Sequence, residues 1–363
     1  MKKISFAGSS ITNREVTYVV DAVKNGWYST FNKDVKKLEQ TIAKYVGVKY
    51  ALAGFCATHS LHLACMVCGF KKGDEVIVPD ISWMATASVI SLTGATPVFV
   101  DVEPTTWCID PEAIEKAITK RTKGIMIVHC YGTPCKMDEI MAIAKKHNFK
   151  VIEDAAPSLG SLYKGKKVGG IGDIGCISFH GAKIAVGGEG GIFLTNNKEY
   201  YDKAVYLSNQ CRTDRKGTFW CDDTGYEYQM ANVTAALILA QVERIEELVT
   251  MKRTIYSWYE KYLDIPTVTL LKENKGDRSN YCYPAIIGTK KNGKVVELLK
   301  KYNIHARVAF PRMSLFPMHK QRFYNPISDS VMSAGLNLPS ALNITEKDVK
   351  FVCKKLKEIY EKS

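Results

Sequence analysis

The stretch Lys150-Val151-Ile152-Glu153-Asp154-Ala155-Ala156 decides how this chain is read. An apolar run closes on a carboxylate followed by small residues. That is how a buried strand ends where its carboxyl edge meets a ligand. Downstream, Gly175-Cys176-Ile177-Ser178-Phe179 repeats the buried-strand pattern and leads into His180-Gly181-Ala182-Lys183. Glycine-dense chain then follows, Gly187-Gly188-Glu189-Gly190-Gly191. Such chain after a lysine supports a loop that faces a ligand, with a plain turn as the simpler alternative.

Outward from these two strands, similar short apolar runs occur at 50–53, 75–79, 97–101, 124–129 and 191–195. Helical periods lie between most of them, for example at 111–119 and 137–147. Alternation of this kind predicts an α/β protein: a mostly parallel, seven-stranded sheet with helices on both faces. Ligands on such sheets bind at the carboxyl ends of the strands. Asp154 and Trp83 fall there, and Lys183 follows the end of the next strand. From Met230 a helical pattern runs with breaks toward Tyr262 and reads as a bridge to a second unit. Beyond it come a loop at 272–280, a strand at 281–288, a helix at 293–302 and a terminal helix at 345–361. These predict a large domain over 1–250 and a smaller α+β domain over 251–363. The first twelve or so residues are expected to pack on the small domain.

A chain of 363 residues can bury a large core, and its 46% hydrophobic and 24% charged content is ordinary for a globular protein. The start has basic residues but no sustained apolar segment, so no secretory signal is expected. The most apolar stretch, 50–70, is interrupted by Thr58, His59, Ser60 and His62 and reads as a strand plus a buried helix, not a membrane span. Eleven cysteines, mostly in apolar runs, fit reduced thiols in a cytoplasmic protein. Cys65 and Cys68 form one CxxC without a second at zinc-ribbon spacing, and His59 and His62 lack a third ligand, so no metal site is expected. The net charge of +13 allows a nucleic-acid or membrane partner. However, the lysines are spread along the chain among Glu and Asp, so neither partner is expected. A positive field would still draw in an anionic substrate.

A lysine that can hold an aldehyde and a carboxylate that keeps a pyridine nitrogen protonated are the two groups that pyridoxal 5'-phosphate (PLP) chemistry needs. Neither residue proves the point alone. Most lysines are solvated surface groups, and an aspartate at a strand end can simply cap a helix.

Read in order, the segments resemble the DegT-type nucleotide-sugar aminotransferases, PLP-dependent transferases of fold type I. The resemblance spans nearly the whole chain. It rests on Gly26-Trp27-Tyr28, Gly73-Asp74-Glu75-Val76-Ile77-Val78-Pro79, Gly94-Ala95-Thr96-Pro97-Val98-Phe99-Val100-Asp101 and Val128-His129-Cys130-Tyr131-Gly132. It continues with Glu153-Asp154-Ala155-Ala156, Ser178-Phe179 with Lys183 beyond, Gly188-Glu189-Gly190-Gly191, and Gly225-Tyr226 with Tyr228 and Met230. The resemblance implies that Lys183 bears the cofactor aldehyde and carries protons, and that Asp154 pairs with the ring nitrogen. Trp83 falls where the family stacks an aromatic on the ring, an ordinary core tryptophan being the alternative. Ala57 and Thr58 match the Gly-Thr at a helix start that holds the phosphate. Ser178 matches a second phosphate ligand. Asn232 matches a residue that reaches the phosphate from the other subunit of a homodimer. As a glycosylation sequon, Asn232-Val233-Thr234 would go unused in a cytoplasmic chain.

The resemblance implies that L-glutamate is the amino donor and a nucleotide-diphosphate keto sugar the acceptor. The Gly-Glu-Gly-Gly run is similar to relatives that act at C4 of a 4-keto-6-deoxy sugar, and the pattern as a whole is most similar to perosamine synthases, which use a GDP-linked sugar. Arg212, Arg215, Arg307 and Arg312 are candidates for diphosphate or sugar contacts, each with an ordinary surface arginine as the alternative. Departures from the family pattern are Ala57 for Gly, Phe31 near a usual Gly, Pro157 for Gln, and Phe310-Pro311-Arg312-Met313-Ser314 where relatives carry Tyr-Pro-x-His. Competing readings are an aminotransferase for a C3-keto sugar or a cyclitol, and a non-catalytic PLP-binding regulator, for which no DNA-binding appendage is seen. A PLP-dependent sugar dehydratase is disfavoured, because relatives of that kind have a histidine in place of Lys183.

Overall fold

All seven apolar runs are strands of one sheet in the computed structural model, which describes residues 2–213 and 220–361. In chain order the strands of the molecule are β1 (Tyr50–Gly54), β2 (Glu75–Pro79), β3 (Thr96–Val100), β4 (Thr122–Val128), β5 (Lys150–Asp154), β6 (Leu162–Tyr163), β7 (Lys166–Lys167), β8 (Ile174–Ser178), β9 (Gly191–Thr195), β10 (Arg212–Thr213), β11 (Trp220–Cys221), β12 (Val268–Leu270), β13 (Ala285–Gly288), β14 (Arg307–Val308) and β15 (Gly335–Asn337). The large sheet has the order β1-β9-β8-β5-β4-β2-β3. From β8 to β3 all neighbours are parallel. Only β9 runs against both its neighbours, β1 and β8. The sheet is therefore mostly parallel, as the alternating pattern predicts.

Strict alternation within the strands explains why both faces are covered. Ile77, Ile125, Ile127, Val151, Ile177, Ile192 and Leu194 belong to one hydrophobic cluster. Their sequence neighbours Val76, Val78, Met126, Ile152, Cys176 and Phe193 belong to another. Successive side chains of a strand point to opposite faces, so every central strand must be apolar on both sides. The helices Ala57–Val67 and Ala85–Leu92 supply part of the second cluster. On the other face, Leu38 and Ile42 of the helix Lys33–Val46 join the first. Burying a side chain of this size contributes about 1.5–3 kcal/mol, which fixes the sheet as the rigid frame of the molecule.

The pattern from Met230 resolves into two helices, Asn232–Val242 and Ile245–Tyr262. After them a second sheet has the order β12-β13-β15-β14, with antiparallel pairing throughout. The helix Glu346–Glu361 packs with Ile245–Tyr262 beside it. The N-terminal segment lies against this part of the chain: the Ile4 N–H donates to Asn303 O at 3.0 Å and the Ser340 N–H to Phe6 O at 2.9 Å.

One boundary differs from expectation. Residues 281–284 are not strand; β13 begins only at Ala285. Tyr281 has φ +46°, and Tyr281 and Cys282 donate their N–H groups to the side chains of Ser279 and Asn280. Local side-chain acceptors thus replace a neighbouring strand here.

Candidate active site

At the carboxyl ends of the parallel strands lies a cavity of about 440 Å³. Asp154 ends β5 and Ser178 ends β8; both line it, together with Ala57, Thr58, Trp83 and Lys183. Six of the seven residues expected at the site are therefore brought together from four separate segments of the chain.

Asp154 is buried and accepts hydrogen bonds from Thr86 Oγ1 at 2.7 Å and from the Ala156 N–H at 3.2 Å. Thr86 is itself held by Ser82 at 2.9 Å. No cation is hydrogen-bonded to this carboxylate among the described residues. Burial pushes its carboxyl above the usual range, opposed by the Thr86 and Ala156 hydrogen bonds and by the charges of Lys183 and His129. Glu153, one position earlier and hence on the opposite face, is saturated. It takes His129 Nε2 at 2.9 Å and the N–H groups of Gly169, Ile171 and Gly172. Asp154 is no helix cap: it ends a strand, and its remaining acceptor capacity faces the cavity.

Lys183 sits in the excursion between β8 and β9. Its Nζ has no hydrogen-bond or ion-pair partner among the described residues. Glycine makes this excursion possible. Gly190 has φ +141°, and a Cβ at Gly191 would lie 2.4 Å from the backbone of Cys56. The loop that starts the helix Ala57–Val67 can therefore press against the lysine loop. That helix has Cys56 at its N-cap without a side-chain hydrogen bond. Its first N–H groups are left for an anion, with Thr58 beside them and Ser178 Oγ nearby on the cavity wall. Trp83 is 64% exposed, so it is not a core tryptophan; its ring lines the cavity beside Phe310, at 6.3 Å between centroids.

These groups fit PLP. An amine without a partner, a buried carboxylate lacking a cation, an uncapped helix start with two hydroxyls and an exposed aromatic face match its aldehyde, ring nitrogen, phosphate and ring plane.

Asn232, the seventh residue, does not line this cavity. It is buried, with its Nδ2 donating to Asp34 Oδ2 and its Oδ1 accepting the Asp34 N–H, both at 2.8 Å. Of the arginine candidates among the described residues only Arg307 reaches the cavity, its guanidinium lying 4.5 Å from the Phe6 ring centroid. Arg312 is buried and bound to Asp80 and Asp329, so it is neither a surface arginine nor free for substrate. Arg212 lies on β10 away from the cavity, and Arg215 lies outside the described residues.

Sequence reading missed Phe6, Tyr131, Tyr283 and Phe310, aromatic walls of the cavity. Tyr131 stood within a quoted motif and Phe310 within the segment that departs from the family pattern, but nothing local marked Phe6 or Tyr283. His59 and His62 pack against Tyr228, at 3.9 Å between the His59 and Tyr228 ring centroids and 3.2 Å from His62 Nδ1 to its hydroxyl. Among the described residues no group of three His, Cys, Asp or Glu could hold a metal ion, and no helix is long and apolar enough to cross a membrane. All eleven cysteines are free, eight of them buried.

The model of the DegT/DnrJ/EryC1/StrS aminotransferase family matches residues 9–357. The chain is 37% identical to the GDP-perosamine synthase of Escherichia coli O157:H7, over 99% of each chain. It is 35% identical to that of Caulobacter vibrioides, again over 99% of each. Among solved structures it superimposes on the PLP form of Spr1654 from Streptococcus pneumoniae, described as a proposed sugar aminotransferase, with TM-score 0.93, 26% identity and 99% of both chains covered. With the cavity groups and these likenesses together, the chain belongs to the DegT/DnrJ/EryC1/StrS family and is a PLP-dependent sugar aminotransferase.

Proposed function

We propose that this enzyme moves an amino group from L-glutamate to C4 of a GDP-linked 4-keto-6-deoxy sugar, as a perosamine synthase does. The observation that carries this reading is the pairing, in one cavity, of an amine without a partner at Lys183 and a buried, cation-poor carboxylate at Asp154. The GDP-perosamine synthases, similar over 99% of their length, support the choice of acceptor.

PLP, when bound, supplies an aldehyde that takes up an amine and a ring that accepts the electrons of a broken C–H bond. Lys183 would hold the aldehyde carbon. Its amine, when free, would carry a proton to and from the substrate carbon. Asp154 would hold the ring nitrogen in its protonated form, and Trp83 would offer an aromatic surface to the ring. The N–H groups at Ala57 and Thr58, the Thr58 hydroxyl and Ser178 receive the phosphate. The large part of the chain, 1–250, would carry these groups, and 251–363 would shape the sugar pocket.

Asn232 is assigned to the partner's site in a homodimer. It lines no part of its own cavity, as a residue serving the other subunit must. Beside it, Trp27, Tyr28 and Phe31 are 57%, 94% and 58% exposed, an apolar surface that a second copy would cover. The free cysteines agree with a cytoplasmic setting.

Mass spectrometry after incubation with PLP, glutamate and a panel of GDP-, UDP- and dTDP-4-keto-6-deoxyhexoses tests the reading. The amino sugar is expected from the GDP substrate. No product from any member would overturn the assignment of the acceptor. Absorbance of the lysine-bound cofactor should be present in the wild type and lost in Lys183→Ala.

A further inference from the structure

The structure assigns Tyr283 as a positioning residue for Lys183, an inference that rests on the catalytic reading of that lysine. The peptide joining Ala182 to Lys183 is held at both polar ends. Its N–H, on Lys183, donates to His180 O at 2.8 Å, a bond within the same turn. Its C=O, on Ala182, accepts from the Tyr283 hydroxyl at 2.5 Å, across 101 positions of sequence. A peptide is planar, so fixing both ends fixes the plane that carries the Lys183 Cα, the point from which its side chain departs.

The loop's own bonds, Gly181 N–H to Gly188 O at 2.9 Å and Gly187 N–H to Phe179 O at 2.7 Å, tie its base but leave the Ala182 carbonyl to Tyr283. Gly181, Gly187, Gly188 and Gly190 surround the lysine, and Gly188 and Gly190 have positive φ. Glycine-rich backbone has little stiffness of its own. Tyr283, by contrast, is firmly seated. Its ring stacks on Phe6 at 4.7 Å and meets Tyr131 edge-on at 5.9 Å. The peptide before it is anchored in the same manner: the Cys282 C=O accepts from Lys252 Nζ at 3.0 Å. That buried ammonium also donates to Ser340 O at 2.6 Å and Ser340 Oγ at 3.0 Å. Two anchored peptides thus connect the helix Ile245–Tyr262 to the lysine, through one phenol. Burial raises the Tyr283 hydroxyl above its ordinary pKa, which keeps it a donor at working pH.

A lysine that both holds a carbon and moves a proton is sensitive to sub-ångström placement. Tyr283→Phe keeps the ring and its stacking and removes only the hydroxyl. We expect kcat to fall about tenfold at nearly unchanged KM for glutamate. The pH midpoint of the lysine-bound cofactor's absorbance should move, and amide hydrogen exchange in a peptide spanning residues 179–186 should speed up. Wild-type kcat, midpoint and exchange in a folded Tyr283→Phe protein would overturn the inference. Phe6→Leu is the second arm, should the first variant fail to fold. It keeps the phenol but loosens its seat, and should shift the same readings less; wild-type readings there would overturn the inference as well. If Lys183→Ala keeps the chromophore, the reading of the site fails. If Lys183→Ala loses it and Tyr283→Phe behaves as wild type, only the positioning role fails.

Discussion

Asp80 and Asp154 occupy equivalent places and have opposite fates. Each is a buried aspartate at the carboxyl end of a parallel strand of the same sheet: Asp154 ends β5, and Asp80 follows β2. Asp80 is saturated. It accepts Arg312 Nε, the Ser314 N–H and Ser314 Oγ, each at 2.8 Å, and Asn325 Nδ2 at 2.9 Å. Asp154 has a threonine hydroxyl and one N–H, with no cation. The first is a clasp that holds the 310–325 segment on the sheet. The second keeps acceptor capacity open toward the cavity, which suits the proposed role of holding a cofactor's ring nitrogen. Completeness of the hydrogen-bond shell, more than burial or strand position, separates structure from site.

Breaking the clasp should give the largest effect. Arg312→Met leaves Asp80 buried without its cation, and stability should drop by about 3–5 kcal/mol in urea denaturation. The corresponding change at the open carboxylate should behave oppositely. Asp154→Asn is expected to lower kcat by at least about a hundredfold, while the cofactor-free variant is no less stable than wild type at pH 7. The sign follows from the raised pKa. Ionised Asp154 is penalised in the folded state, a cost that grows as pH rises through its folded pKa and that asparagine removes. A destabilised Asp154→Asn protein would erase the contrast between the two carboxylates.

Glu75, at the other end of β2, extends the comparison. Hydrogen bonds from Arg322, Thr119 and Arg121 hold its carboxyl down at about 2 against the opposing effect of burial. Its contribution should be complete above pH about 4.5 and disappear as pH falls toward about 2, amounting to about 2 kcal/mol. Unfolding midpoints measured across that range should slope more steeply for the wild type than for Glu75→Gln. The smallest effect is expected from Thr86→Val, which strips one donor from Asp154. Its carboxyl should rise further, so the acid limb of the kcat profile moves to higher pH and kcat falls about three- to tenfold at neutral pH.

The frame and the floor of the cavity were legible because their signals are local. Two-sided apolar strands need no partner to be recognised, and the Asp154 and Lys183 segments carry their own glycine and small-residue context. Arg312 was misjudged because its role depends on Asp80, 232 positions away. Tyr283 and Phe6 were missed for the same reason: they meet the lysine loop only through packing between distant segments. Asn232 was singled out by its motif, but its local bond to Asp34 could be seen only in three dimensions.

The reversed direction of β9 has a consequence for how this enzyme can change. Because β8 and β9 are antiparallel neighbours, with Ser178 opposite Gly191, the lysine sits on a closed excursion of the chain and not on an open crossover. A length change cannot be absorbed by sliding either strand, since a one-residue slip would turn every side chain to the wrong face. Nor can it bulge outward freely, because Phe179, Ile184, Ala185 and Val186 are buried. The neighbourhood of Lys183 can therefore be varied by substitution but not by insertion, and new acceptors must be accommodated by the aromatic walls that face it.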